Sequence, residues 1–209
     1  MYPDRAAAAE LLAHHLEMLP VVRDTKLGEG VVLGIPRGGI VTAKAVAERL
    51  GWPVAAIVTK KVGLPGQEEL AIGAMGPDGS VAWNQELLAL LQLQPKDLQS
   101  QVNKTQAKVD SYMGKFGSGN LDIRGKTAIV VDDGAATGAT MKAAVDWLRG
   151  KCTVLVALPV CSQRAAAVLK AAADHFVCLE TPENFQAVGQ FYREFNEVSD
   201  EEALKILQG

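Results

Sequence analysis

The stretch VVDDGAATGAT, residues 130–140, decides the fold. An apolar run ends in two adjacent carboxylates, Asp132 and Asp133, and passes at once into small residues and two threonines. Neither feature builds a core. The pattern reads as a strand whose tip carries the acids within reach of solvent, followed by a turn into a helix. Gly134 and Gly138 suit backbone of positive φ, and the first amides of a helix lack partners within it. Such amides, beside the hydroxyls of Thr137 and Thr140, suit a phosphate monoester. Two carboxylates next to that cradle repel a second phosphate but accept hydrogen bonds from vicinal hydroxyls. A phosphorylated sugar satisfies both halves.

Outward from this stretch, strands and helices alternate. GVVLGIP (30–36) is a buried strand, GGIVTAKAVAERLG (38–51) a helix ending at a glycine, and WPVAAIVTKK (52–61) a second strand. AIGAMGPDGSVAWN (71–84) reads as a hairpin around Pro77-Asp78-Gly79. A helical face formed by Leu98, Val102, Val109, Tyr112 and Phe116 ends at GSGN (117–120). Then follow strand 126–133, helix 138–150, strand 152–160, helix 162–173 and strand 175–180. The alternation predicts an α/β fold, a doubly wound, mainly parallel sheet with helices on both faces. The predicted organisation is one domain over residues 1–209, with its core at about 20–180 and a small helical hood from about 181. An N-terminal helix starting near Pro3 and Asp4 is expected close to that hood.

Composition narrows the function. The chain has 209 residues, 48% hydrophobic and 22% charged, with a net charge of −3. It has no global basic field, so neither nucleic acid nor an anionic membrane is the expected partner. Three cysteines at spacings that match no metal motif fit a reduced, cytoplasmic protein. The first residues match neither a signal peptide nor a membrane span. Competing phosphate motifs fail on detail. NLDIRGKT (120–127) has Asn120 where a Walker A loop needs glycine, and it precedes a strand instead of following one.

VVDDGAATGAT resembles the phosphoribosyl-pyrophosphate (PRPP) motif of the type I phosphoribosyltransferases. PRGGI (36–40) is similar to that family's pyrophosphate loop, and KKVGLPGQEELAIGAM (60–75) to its mobile catalytic loop joined to a hairpin. ENFQAVGQFYREF (183–195) is similar to its acceptor-covering hood. The combination is most similar to bacterial members whose acceptor is unassigned. The resemblance implies Mg²⁺-dependent transfer of the phosphoribosyl group from PRPP to a nitrogen acceptor such as a nucleobase, with release of pyrophosphate. It implies that Asp132 and Asp133 accept from the ribose hydroxyls. Gly134, Ala135, Ala136, Thr137, Gly138, Ala139 and Thr140 would form the 5-phosphate cradle. Arg37, Gly38 and Gly39 would hold pyrophosphate, and Lys60 or Lys61 would face the departing charge. Mg²⁺ would be held mainly by PRPP, with contact through water to Asp132 or Asp133. A homodimer is common in the family. Purine-salvage members often carry an acid where this chain has Ala136, which sets the acceptor's identity aside. A PRPP-sensing regulator and a hydrolase using water as acceptor are the alternatives.

Overall fold

The computed structural model describes residues 1–117 and 122–208. The expected stop at 117–120 therefore lies mostly outside the described residues, as does the side chain of Glu69. Helix α1 (Arg5–Glu17) begins behind Asp4, whose carboxylate accepts from Ala7 N at 2.8 Å. The short α2 (Pro20–Arg23) leads to β1 (Gly30–Gly34), α3 (Gly38–Leu50) and β2 (Val54–Ala56). Helix α3 stops at Gly51, with φ at 67°.

Next come β3 (Lys60–Leu64), β4 (Gln67–Met75), β5 (Val81–Trp83), α4 (Gln85–Leu90) and α5 (Gln99–Phe116). The remainder is β6 (Thr127–Val131), α6 (Ala139–Leu148), β7 (Thr153–Val160), α7 (Gln163–Ala172), β8 (His175–Glu180) and α8 (Asp200–Gln208).

Among the described residues, five strands form a parallel sheet in the order β2-β1-β6-β7-β8. Alternate residues face opposite sides. Val31, Leu33, Val130, Val154 and Val156 pack under α6 and α7, together with Met141, Ala144 and Leu169. Val32, Ile129, Val131, Leu155 and Ala157 pack under α1 and α3, with Leu12, Leu16 and Val46. Burial on both faces explains why these strands read as unbroken apolar runs. The chain leaves β1 toward β2 on one side, then returns to β6 on the other. The crevice at the carboxyl ends of β1 and β6 is therefore the topological switch point, where ligands bind in such sheets.

Three expectations need correction. The strand expected over 52–61 is interrupted: β2 ends at Ala56, and Lys60 opens a separate antiparallel sheet, β3-β4-β5. Residues 60–75, expected as a mobile loop joined to a hairpin, are two paired strands. Pro65 and Gly66, read as loop residues, make the tight turn between Leu64 and Gln67, with Gly66 at φ 78°. The tail is only partly helical, because Phe185, Phe191, Tyr192 and Phe195 lie on irregular backbone and one 3₁₀ turn. They gather around Tyr2, Ala8 and Val160, so tertiary packing places them. The N-terminal segment does meet this tail: Tyr2 N donates to Phe191 O at 2.7 Å and Arg193 N to Tyr2 O at 2.9 Å.

Candidate functional site

The site forms where β1 and β6 end. Ile35 N donates to Val131 O at 3.0 Å, which brings the two exits together. Asp132 follows β6 and turns back on its own chain, its Oδ1 accepting from Asp133 N at 2.9 Å. The amide of Gly39 also donates to Asp132. Asp133 Oδ2 accepts from Arg5 Nε at 2.7 Å, and its carbonyl accepts from the Tyr192 hydroxyl at 2.6 Å. The acids are thus enclosed by the N-terminal segment and the tail instead of standing open to solvent: the Asp133 side chain is 13% exposed. Burial pushes the Asp132 carboxyl well above the usual carboxylate range, and the neighbouring Asp133 charge pushes it the same way. Burial raises Asp133 too, while the Arg5 guanidinium works against the rise.

The glycines after β1 fit against these acids. A Cβ on Gly38 would lie 2.1 Å from Asp133 Oδ2. One on Gly39 would lie 2.8 Å from Val131 O and 2.9 Å from Asp132 Oδ1. Here the close approach that requires glycine is to the acid pair itself. The Pro36–Arg37 peptide that precedes them is cis.

The loop after the acids has a buried half and an open half. Gly134 does not have positive φ; it is glycine because a Cβ would lie 2.6 Å from Val188 and 3.0 Å from Val160 O. The Ala135 amide donates to Val160 O at 3.1 Å, and Ser162 returns bonds to the carbonyls of Ala135 and Ala136. That amide is committed to the fold, which removes it from the expected cradle. Ala136, Thr137, Ala139 and Thr140 are exposed. Gly138 takes the left-handed conformation, φ 72°, and itself makes no side-chain cap for α6. Ala139 N donates to the Thr137 hydroxyl at 3.3 Å, a long bond that an anion can displace.

Arg37, at the start of α3, is ion-paired with Glu197 and lies 3.7 Å from Asp200, both from the tail. Lys60 and Lys61 part company, as neighbours on a strand must. Lys60 sits over the Tyr112 ring at 3.9 Å, and burial, then the nearby Lys108 charge, lowers its pKa. Lys115, one turn after Tyr112, pairs with Asp200 at 2.6 Å, and Asp200 lies 3.7 Å from Arg37, so Lys60 belongs to that side of the site. Lys61 faces a cleft of about 660 Å³ between β4, β5 and α6, whose walls include Trp83, Ala139, Lys142 and Arg149. This cleft touches the loop only at Ala139.

Arg5 and Tyr192 are the site residues that sequence reasoning missed. Tyr192 carried no signal beyond an aromatic cluster. Arg5 carried one, a cation on the first residue of a helix, where an acid is favoured.

Among the described residues no three metal-ligating side chains come together. At the site, Asp132 and Asp133 are the side chains that could touch a hard cation, as minor contributors to its coordination.

The sequence matches the family model of the phosphoribosyl transferase domain over residues 7–196. A Mycobacterium tuberculosis protein provisionally named a phosphoribosyl transferase is 37% identical over 212 aligned residues, covering 99% of this chain and 46% of the relative. The chain thus spans about half the length of the curated relatives it matches. The crystal structure of TT1426 from Thermus thermophilus is 35% identical with a TM-score of 0.86, covering 99% of this chain and 97% of that one. The AQ2163 protein from Aquifex aeolicus shares the fold alone, at 11% identity and a TM-score of 0.52 over 88% of this chain and 78% of that one. With a family match spanning both the switch-point acids and the glycine pair opposite them, the chain belongs to the phosphoribosyl transferase domain family.

Proposed function

We propose that this site transfers the phosphoribosyl group of PRPP to a nitrogen acceptor, a nucleobase or a similar small molecule, with Mg²⁺ present and pyrophosphate leaving. The observation that carries the reading is the juxtaposition at the switch point. An acid pair, an uncapped helix N-terminus and a glycine pair with its arginine meet where β1 and β6 end.

In the transfer, the bond from ribose C1 to a pyrophosphate oxygen breaks and a bond from C1 to the acceptor nitrogen forms. The nitrogen's proton passes to solvent. Asp132 and Asp133 would accept from the ribose hydroxyls and set negative charge near the positive charge that develops at the ring. The amides from Ala136 to Thr140, with the hydroxyls of Thr137 and Thr140, would hold the 5-phosphate. Arg37 would bind the leaving pyrophosphate beside the amides of Gly38 and Gly39, with Lys60 or Lys61 as a further cation. Mg²⁺, carried in on PRPP oxygens, would offset the charge on the leaving group. Positioning and fixed charge supply the catalysis, since no protein group forms a bond to the sugar.

The test is pyrophosphate release from PRPP, with and without Mg²⁺, against a panel of bases and a no-base control. Release that depends on Mg²⁺ and on one acceptor supports transfer. Release without any acceptor indicates a hydrolase. Failure to bind millimolar PRPP in calorimetry with Mg²⁺ present would overturn the reading.

A further inference from the structure

Helix α1 opens with a charge at the unfavourable end. Its first turn holds no acid, and its first residue is Arg5, a cation facing the positive pole of the helix dipole. The residue does nothing for its own helix, so its worth lies in what the guanidinium touches. Nε donates to Asp133 Oδ2 at 2.7 Å, Nη1 donates to the carbonyl of Asn196 at 2.7 Å, and the fork lies 3.8 Å from the centre of the Phe195 ring. The two side chains of the pair are 12% and 13% exposed.

Asp133 is consequently held at several points. The Tyr192 hydroxyl fixes its carbonyl at 2.6 Å. Its Oδ2 is wedged between Arg5 and the Gly38 backbone, where a Cβ would stand 2.1 Å from Oδ2 and 3.3 Å from Arg5 Nε. The pairing of Tyr2 with residues 191–193 brings the N-terminal segment to this spot. A free aspartate turns about its last torsion in a broad, two-fold well. This one cannot, because one oxygen is committed on both sides. With Oδ2 committed to Arg5, a ligand hydroxyl at this carboxylate would be read by Oδ1.

We propose that Arg5 is a positioning residue that locks Asp133 so that Oδ1 alone reads a ribose hydroxyl, making the site selective for the configuration of the pentose. The inference rests on the reading of this site as one for a pentose phosphate. A locked acceptor needs no reorganisation when the correct hydroxyl arrives, and it cannot swing to meet an epimer. Without Arg5 one side of that clamp is lost, and the carboxylate can swing to accept from either configuration.

The experiment is calorimetry of the whole chain with the 5-phosphates of ribose, arabinose and xylose, the last two inverting the 2- and 3-hydroxyls. Inorganic phosphate serves as a control for the α6 loop. The parent should prefer ribose 5-phosphate. Arg5→Ala should cut its preference over at least one epimer by about fivefold, as for loss of one oriented hydrogen bond. Phosphate affinity should stay unchanged, and Arg5→Lys should be intermediate. Should Arg5→Ala fail to fold, Arg5→Met keeps an unbranched stem without any donor and takes its place. A full preference in the neutral variant overturns the inference and leaves the functional reading standing. Tighter binding of every pentose phosphate with the preference intact would make Arg5 a plug and overturns it too. A parent with no preference among the three sugars overturns the pentose-phosphate reading itself, and the inference with it.

Discussion

The backbone of Gly38 passes the carboxylate of Asp133 so closely that a Cβ would lie 2.1 Å from Oδ2. Contact at that distance forces something to move, and Asp133 cannot give cheaply because Arg5 holds it at 2.7 Å. Gly38→Ala should therefore keep the fold and weaken PRPP binding by roughly tenfold or more, about 1.4 kcal/mol per decade. Gly39→Ala meets backbone as well, Val131 O at 2.8 Å, so it should lower thermal stability along with binding. Calorimetry beside thermal unfolding separates the two; a Gly38→Ala chain that binds PRPP like the parent removes the close approach from the account of binding.

Asp132 sets function against stability. Burial and the Asp133 charge raise its pKa, so its stabilising contribution is complete below the unfolded-chain value, about 3.9, and is lost as pH rises through the folded value. Above the folded value the parent carries a buried charge that Asp132→Asn lacks. The variant keeps an oxygen for the amides of Asp133 and Gly39, and its melting temperature should exceed the parent's increasingly as pH rises from about 4. Each 1 kcal/mol recovered is worth about 2–4 °C in a chain of this size. PRPP affinity should fall by about 1.5–3 kcal/mol through loss of a charged acceptor. A variant that melts lower than the parent at pH 8 contradicts this sign.

The parts of the fold set by local periodicity were legible in the sequence. GVVLG and TAIVV are short, apolar and β-branched, and their helices follow at regular spacing, so the parallel sheet and its switch point follow from the alternation. The acid pair and the Gly138 turn were legible because strand tip and helix start are both local signals. Segments held by distant contacts were not. Gly63, Pro65 and Gly66 carry the same letters whether they make a loose loop or a two-residue turn. The tail aromatics fall at helical spacing, yet Tyr2 and Val160 fix them in another conformation. The enclosure of Asp133 depends on Arg5, 128 residues away in sequence, which no window along the chain contains.

Arg37 is held by tail carboxylates that a pyrophosphate bound there, as we propose, would have to displace. The pair with Glu197 is exposed, 35% on Arg37 and 80% on Glu197, and such pairs are worth little. Displacement is therefore easy but measurable. Glu197→Gln should raise pyrophosphate affinity by about threefold at low salt, and the gain should fade above roughly 0.3 M as screening removes the competition. Arg37→Ala should abolish binding whatever stands at 197. Titrations of pyrophosphate at two salt concentrations test this; equal affinity of Glu197→Gln and parent at low salt would place the anion elsewhere.

The two lysines separate an enzyme from a sensor. They lie on opposite faces of β3, Lys60 over Tyr112 on the Arg37 side and Lys61 toward the α6 cleft. An enzyme uses a cation at the leaving group mostly in the transition state, so losing it lowers turnover more than ground-state affinity. Lys60→Ala should thus depress pyrophosphate release by roughly a hundredfold, with PRPP affinity changed about threefold at most. Lys61→Ala should have the smaller effect. Burial, then the Lys108 charge, lowers the Lys60 pKa, so the ammonium is lost at a lower pH than for an exposed lysine. Turnover should fall on the alkaline side ahead of the ordinary lysine range, and Lys60→Arg, which stays charged, should move that limb upward. The measurements are PRPP affinity and release rate for each variant, and the pH profile for the parent and Lys60→Arg. Equal loss of affinity and rate in Lys60→Ala, with no alkaline limb in the parent, would favour a PRPP sensor, because a sensor has no transition state for the lysine to serve.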